Sequence, residues 1–220
     1  MNPQPLTRDI LKIEAREFAI HLSQRQIPQL YGITDGKAVG TYVEHGFRDY
    51  LLTRYQMASG NSAHGIDFPE LDIDLKVTSI KQPQSSCPYR SASQKVYGLG
   101  YSLLVFTYSK VDELDTSAST LIINHVLFID AKRTADFQTT AALLGILERG
   151  GNHDDIVALL EERNLPLDEI GRDQLATRIL RQPPVQGYLT MSNALQWRLQ
   201  YGHAITQSAV LDSGVENLLV

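Results

Sequence analysis

The stretch GIDFPELDIDLKVTS, Gly65 to Ser79, sets several carboxylates and a lysine inside what otherwise reads as a β-strand. Acidic residues are poor strand formers, so solvent, a metal or chemistry must account for them. On a strand, Asp74 and Lys76 face the same side, roughly 6.5 Å apart. Asp67 lies seven residues before Asp74, across Pro69, and a loop or bent strand there would bring it back toward Asp74. Two carboxylates converging in this way offer several oxygen ligands and two negative charges, which suits Mg²⁺. A cation held there lowers the pKa of bound water and neutralises charge on a phosphoryl group. A nearby ammonium orients the attacking water and stabilises the extra charge of the transition state. The chemistry implied is Mg²⁺-dependent phosphodiester hydrolysis. The same residues also suit a solvent-facing edge strand, on which Asp72, Asp74 and Lys76 pair weakly in water.

Asp-x-Lys occurs three times, as Asp35-Gly36-Lys37, Asp74-Leu75-Lys76 and Asp130-Ala131-Lys132. The first falls in a glycine turn, a poor rigid platform. The third follows an apolar strand that reads as buried core, with Asp130 at its exit. The second is mid-strand, on the polar face of an alternating pattern, with another Asp shortly before it.

The elements that must position these residues follow from periodicity. Ile10, Leu11, Ala15, Phe18, Ala19 and Leu22 recur at helical spacing behind Thr7, a candidate N-cap. Tyr31 to Gly40 is glycine-rich and reads as a loop. Val43, Phe47, Leu51 and Leu52 mark a second helix, with Glu44 near its start. Leu71, Ile73, Leu75 and Val77 alternate with Asp72, Asp74, Lys76 and Thr78, the period of a half-buried strand. KQPQSSCPYR after it is polar and broken by prolines. Ser91 to Gly100 reads as a short helix, and Ser102–Ser109 and Thr120–Asp130 as apolar strands. The remainder is expected to be helical: Asp136 to Arg149, His153 to Arg163, Arg172 to Leu180 and Asn193 to Ala204. The order indicates an α/β core with a helical C-terminal portion.

At 220 residues and 43% hydrophobic composition, the chain is expected to form one domain with a proper core. The catalytic core is expected at about 36–135 and the helical portion at about 136–220. No apolar run approaches the ~20 residues that cross a bilayer, so no membrane partner is expected. The N-terminus does not read as a secretion signal, and a cytoplasmic location is expected. Cys87 is the only cysteine, which excludes disulfide frameworks and thiolate zinc sites within one chain. The net charge of −5 argues against nucleic acid at first sight, but its distribution does not. From Leu75 to Val111 and from Gln174 to Leu211 there is no carboxylate, while Lys76, Lys81, Arg90, Lys95 and Lys110 occur in the first and Arg178, Arg181 and Arg198 in the second. The two basic segments would suit a DNA-facing surface and equally an ordinary solvated one.

DFPELDIDLK resembles the active-site stretch of the MutH-like branch of the PD-(D/E)xK nucleases. Asp67, Asp74 and Lys76 match the family's three positions. Asp74 stands where the branch usually has Glu, and Ile66 where the wider pattern has Pro. The carboxylate is retained and the proline is not a ligand. GKAVGTYVEHGF resembles the branch's glycine-then-Glu helix, which carries a metal-site role to Glu44. SASQKVYGLGYSLLVFTYSK resembles the helix and strand completing the core, from which Gln94 or Lys95 would point toward DNA phosphate or the site. The resemblance covers Gly36 to roughly Lys110. It implies a restriction-endonuclease-like mixed β-sheet flanked by helices. It also implies a type II restriction endonuclease cutting double-stranded DNA with Mg²⁺ on Asp67, Asp74 and Glu44. The alternatives are a repair nicking enzyme of the same fold and a catalytically silent DNA-binding module. A palindromic site would favour a homodimer. In the last basic segment, Asn193, Gln196, Arg198 and Gln200 have the amides and guanidinium that read base edges, although Leu195, Trp197 and Leu199 also suit simple packing of a terminal helix.

Overall fold

The computed structural model describes residues 4–57, 65–192 and 196–220, with Gln196 by its backbone alone. Strand β1 (Gln4–Pro5) leads into helix α1 (Arg8–Ser23). Thr7 caps that helix, its hydroxyl accepting from the Ile10 amide at 3.3 Å. Strand β2 (Gln26–Ile27) precedes helix α2 (Gly36–Leu52), and β3 (Tyr55–Gln56) pairs with β1 in parallel. Then come β4 (Ile73–Ser79), β5 (Gln84–Pro88), the short helix α3 (Gln94–Tyr97), and the long strands β6 (Ser102–Glu113) and β7 (Ala118–Ile129). Helices α4 (Phe137–Glu148), α5 (His153–Glu162) and α6 (Glu169–Arg181) follow. The chain closes with β8 (Thr190–Met191), β9 (Gln196–Gln200), α7 (Gly202–Gln207) and β10 (Val215–Asn217). This is the expected α/β architecture, a sheet flanked by helices with a helix-rich C-terminal portion. Among the described residues no helix is long and apolar enough to cross a membrane.

Three local expectations change. The glycine-rich segment before Gly40 is helical from Gly36, because Asp35 caps it through the Lys37 amide at 3.0 Å. The proline-broken segment after β4 contains β5, whose five residues pair antiparallel with β9. Residues 196–200, expected within a helix, form a strand. Trp197 and Leu199 are buried while Arg198 and Gln200 are exposed, and that period of two belongs to a strand.

The chain divides into two compact units, each discontinuous in sequence. Unit 1 comprises Met1–Pro83, Leu103–Ile129 and Val215–Val220. Its main sheet runs β10–β7–β6–β4, with β2 also on β7. The outer edge of β7 is shared: β2 pairs at Ser119–Thr120 and β10 at Leu127–Ile129, both antiparallel. Between them the Ile123 amide donates to Ser23 Oγ and the Val126 amide to Asn217 Oδ1. The edge therefore presents few open donors to another chain. Helix α1 lies on β7 and α2 on β4. Phe18, Phe47 and Phe106 meet at the centre, the Phe18 and Phe47 rings 5.1 Å apart and the Phe47 and Phe106 rings 5.5 Å apart.

Unit 2 comprises Gln84–Ser102 and Asp130–Gly214. Its antiparallel sheet runs β5–β9–β8. Val96, Leu143, Ile156, Leu160, Ala176 and Ile179 form its helical core. Asn152 and Asp155 make a reciprocal capping box at the start of α5.

Candidate active site

The site is built by a tight reversal of the chain. Phe68 and Ile73 form an antiparallel bridge, the Phe68 amide donating to Ile73 O at 2.9 Å and the Ile73 amide to Phe68 O at 3.2 Å. Between them Pro69–Leu71 make one 3₁₀ turn, and Asp72 closes it in the left-handed region at φ 53°. Proline suits the first position of such a turn, and Asp is among the few side chains that tolerate positive φ. With Phe68 opposite Ile73, the next pair outward is Asp67 opposite Asp74. Residues directly opposed in antiparallel pairing project to the same face. The six-residue interval between the two aspartates is therefore the length of this turn plus its bridge. Alternation in β4 begins at Ile73, and Leu71 and Asp72 belong to the turn.

The backbone amide of Leu75 donates to Asp67 Oδ2 at 2.9 Å, fixing that carboxylate against β4 between Asp74 and Lys76. Lys76 Nζ donates to Asp74 Oδ2 at 2.7 Å. Asp74 is only 3% exposed, so the polar face of β4 is covered and is no solvated edge. Burial pushes the Asp74 carboxyl up to about 7; the Lys76 ammonium opposes this, and the neighbouring Asp67 carboxyl reinforces it. The Leu75 amide is a part of the site that side-chain motifs do not reveal, because a backbone donor has no residue type.

Glu44 arrives on α2. A Cβ placed on Gly40 would lie 3.6 Å from Val77 O, an ordinary packing distance, so the Gly40 face of α2 is the one that lies on β4. Glu44, one turn further along, shares the Gly40 face of the helix. Its carboxyl is raised above its ordinary value, first by burial and then by the Asp67 charge, with Lys76 and His45 pulling the other way. Glu44 thus shares the electrostatic surroundings of Asp67 and Lys76. Among the described residues, however, no group of three or more His, Cys, Asp or Glu side chains is gathered closely enough to hold a metal ion by itself.

The other two Asp-x-Lys copies are N-caps, Asp35 of helix α2 and Asp130 of a 3₁₀ turn. Asp35 accepts from the Lys37 amide at 3.0 Å and Asp130 from the Lys132 amide at 2.9 Å. In both, the carboxylate binds the backbone of the lysine, whereas in β4 it binds the ammonium. Extended backbone is what allows Asp74 and Lys76 to meet by their side chains.

The candidate DNA contacts separate into three groups. Gln94 and Lys95 are 6% and 4% exposed, inside unit 2. Gln94 Oε1 accepts from the Arg90 and Ser91 amides at 3.2 and 3.3 Å, and its Nε2 donates to Leu99 O at 3.3 Å. The Lys95 ammonium sits 5.6 Å from the centre of the Trp197 ring. Burial lowers its pKa, with Asp136 opposing. The structure thus gives both residues partners within unit 2. Arg198 and Gln200 are exposed on β9. Asn193 and the side chain of Gln196 lie outside the described residues.

Comparison with known proteins gives a family for the chain. The family model described as Type II restriction enzyme NspV matches residues 5–217. The curated Type II restriction enzyme NspV of Nostoc sp. is 55% identical over 207 residues, covering 94% of each chain. No solved structure matches.

Proposed function

The chain belongs to the NspV family of type II restriction enzymes, and from that premise we propose that it cuts DNA with a PD-(D/E)xK-type, MutH-like site made of Asp67, Asp74 and Lys76, assisted by Glu44. The activity is that of a site-specific endonuclease on DNA; the assignment of residues and of Mg²⁺ is our reading. The observation that carries it is the Phe68–Ile73 bridge, which sets Asp67 across from Asp74, together with the Lys76 ammonium 2.7 Å from Asp74.

The donors suit a small hard cation. Two opposed carboxylates supply oxygen ligands, and water can complete the shell, as Mg²⁺ prefers. A buried carboxylate raised to about 7 is one whose charge a divalent neighbour would favour. Asp67 and Asp74 would hold the ion, with Glu44 beside them. When bound, the ion supplies positive charge at the scissile phosphate and acidifies water. The Leu75 amide keeps Asp67 in its orientation. Asp74 holds the Lys76 ammonium at the site, where it can donate to the attacking water and to a phosphoryl oxygen. Both units serve one nuclease in this reading, located in the cytoplasm with its DNA and acting as a homodimer on a two-fold site.

Digestion of unmethylated plasmid DNA with Mg²⁺ and with EDTA, followed by sequencing of the ends, tests the activity. Linear product with defined ends is expected; nicked circles alone indicate a nicking enzyme, and binding without cleavage a silent module. Asp74→Ala is expected to abolish cleavage with DNA binding retained. Normal cleavage by that variant, with loss in Asp130→Ala, would transfer the site to the other strand.

A further inference from the structure

The β5–β9–β8 sheet of unit 2 has two unlike faces. One is buried: Cys87, Trp197, Leu199, Tyr201 and Met191 are at most 4% exposed. It is also tied down. Tyr201 Oη and Ser85 Oγ share a 2.5 Å hydrogen bond, and the Tyr89 and Trp197 rings stack 5.6 Å apart. The other face is polar. Register places Gln84 across from Gln200 and Gln200 across from Thr190. One step along, Ser86 lies across from Arg198, whose amide and carbonyl bond Ser192 at 3.0 and 3.1 Å. Opposed residues share a face, so these six form two cross-strand rows. Arg198, Gln200 and Ser86 are exposed.

From these rows we infer that the solvent face of this ribbon reads base edges in the DNA major groove, Arg198 taking a guanine and Gln200 an adenine. This rests on the endonuclease reading above and adds to it the element and residues that choose the sequence. The major groove admits an antiparallel β-ribbon, and arginine to guanine and glutamine to adenine are the bidentate matches that its donor and acceptor pattern allows. Arg198 forms no ion pair among the described residues, so its guanidinium fork is not engaged by a carboxylate. No carboxylate occurs from Leu75 to Val111 or from Gln174 to Leu211, the segments that supply all three strands. A phosphate backbone therefore meets no opposing charge from them. Rows two residues apart are separated by about 6.8 Å, close to two base-pair rises of about 3.4 Å. The packed rear face holds the readers on a rigid element, as discrimination requires.

The test separates reading from cutting. Asp74→Asn, alone and combined with Arg198→Ala, Arg198→Lys or Gln200→Ala, is used with Mg²⁺ to select duplexes from a randomised pool. The parent is expected to enrich one motif. Arg198→Ala should lose about 10- to 100-fold of the preference at a G·C pair, and Gln200→Ala a similar amount at an A·T pair a few steps away. Arg198→Lys should fail to restore the G·C preference, because an ammonium lacks the planar fork. Each variant should melt with the parent, since both side chains are exposed. Unchanged motifs in both alanine variants overturn the inference, as does full rescue by lysine, which marks a phosphate contact. A parent that enriches no motif overturns it too. Cleavage by the wild-type chain is scored separately, so failure to cut counts against the nuclease reading alone.

Discussion

Asp67 stands opposite Asp74 because their neighbours Phe68 and Ile73 exchange backbone hydrogen bonds of 2.9 and 3.2 Å. The pairing of the carboxylates is thus a matter of register, and register depends on the length of the turn. One alanine inserted between Glu70 and Leu71 is expected to lower cleavage at least about 100-fold while shifting the melting temperature by only a few degrees. Asp72, at φ 53°, gives a graded version of the same test. Asp72→Gly should be nearly neutral, and Asp72→Val should destabilise by about 1–2 kcal/mol and reduce cleavage more than Gly does. Thermal melting and plasmid cleavage, run in parallel, check both.

The raised Asp74 carboxyl predicts a pH dependence of definite sign. In the metal-free folded chain it titrates at about 7, against about 3.9 when unfolded. Between those values the folded state holds a proton that the unfolded state has released. Its contribution to stability is therefore complete below about pH 4 and is lost as pH rises through 7. Asp74→Asn, which cannot ionise, should gain on the wild type by roughly 1–4 kcal/mol between pH 4 and pH 8 in EDTA. Denaturant titrations at several pH values measure the difference. Cleavage at limiting Mg²⁺ should rise over the same interval, since the ligand must give up its proton.

Glu44 is raised by burial and by the Asp67 charge, which places it within electrostatic reach of the pair without making it an obligatory ligand. Glu44→Gln is expected to increase the Mg²⁺ needed for half-maximal cleavage by about 10- to 100-fold and to recover much of the rate at high Mg²⁺. Asp74→Ala should not recover. Cleavage rates across a Mg²⁺ titration distinguish the two.

Asp136 provides the structural contrast. It is 4% exposed and accepts from the Thr139 amide at 2.8 Å, the Thr139 hydroxyl at 2.7 Å and the Met191 amide at 2.8 Å. It therefore caps α4 and ties β8 to it. Asp136→Ala should destabilise the chain by about 3 kcal/mol. The specific rate of the fraction that remains folded should be close to wild type. Melting curves and active-fraction titration check this.

The juxtaposition of Asp67, Asp74 and Lys76 was legible in the sequence to the extent that local backbone geometry builds it. Asp74 and Lys76 meet across two residues of one strand, and Asp67 returns through one turn, so short-range spacing carries the constellation. The buried stripes of α1 and α2 were legible for the same reason. The surroundings of Gln94 and Lys95 were not, because they depend on Leu99, Asp136 and Trp197, the last two far along the chain. The strand at 196–200 was obscured because Leu195 and Leu199 stand four apart, a helical interval, while the alternation of Trp197, Leu199 and Tyr201 fits a strand as well. Only pairing with residues 84–88, far upstream and broken by prolines, decides between them.

The last short strand has a bearing on biosynthesis. Val215–Asn217 lies along the outer edge of Ala118–Ile129, and the whole of Asp130–Gly214 comes between them in the chain. The sheet that ends at Asp74 therefore cannot be completed on the ribosome until the other half has been translated. A polypeptide halted before Val215 would leave the edge at Leu127–Ile129 without its partner strand.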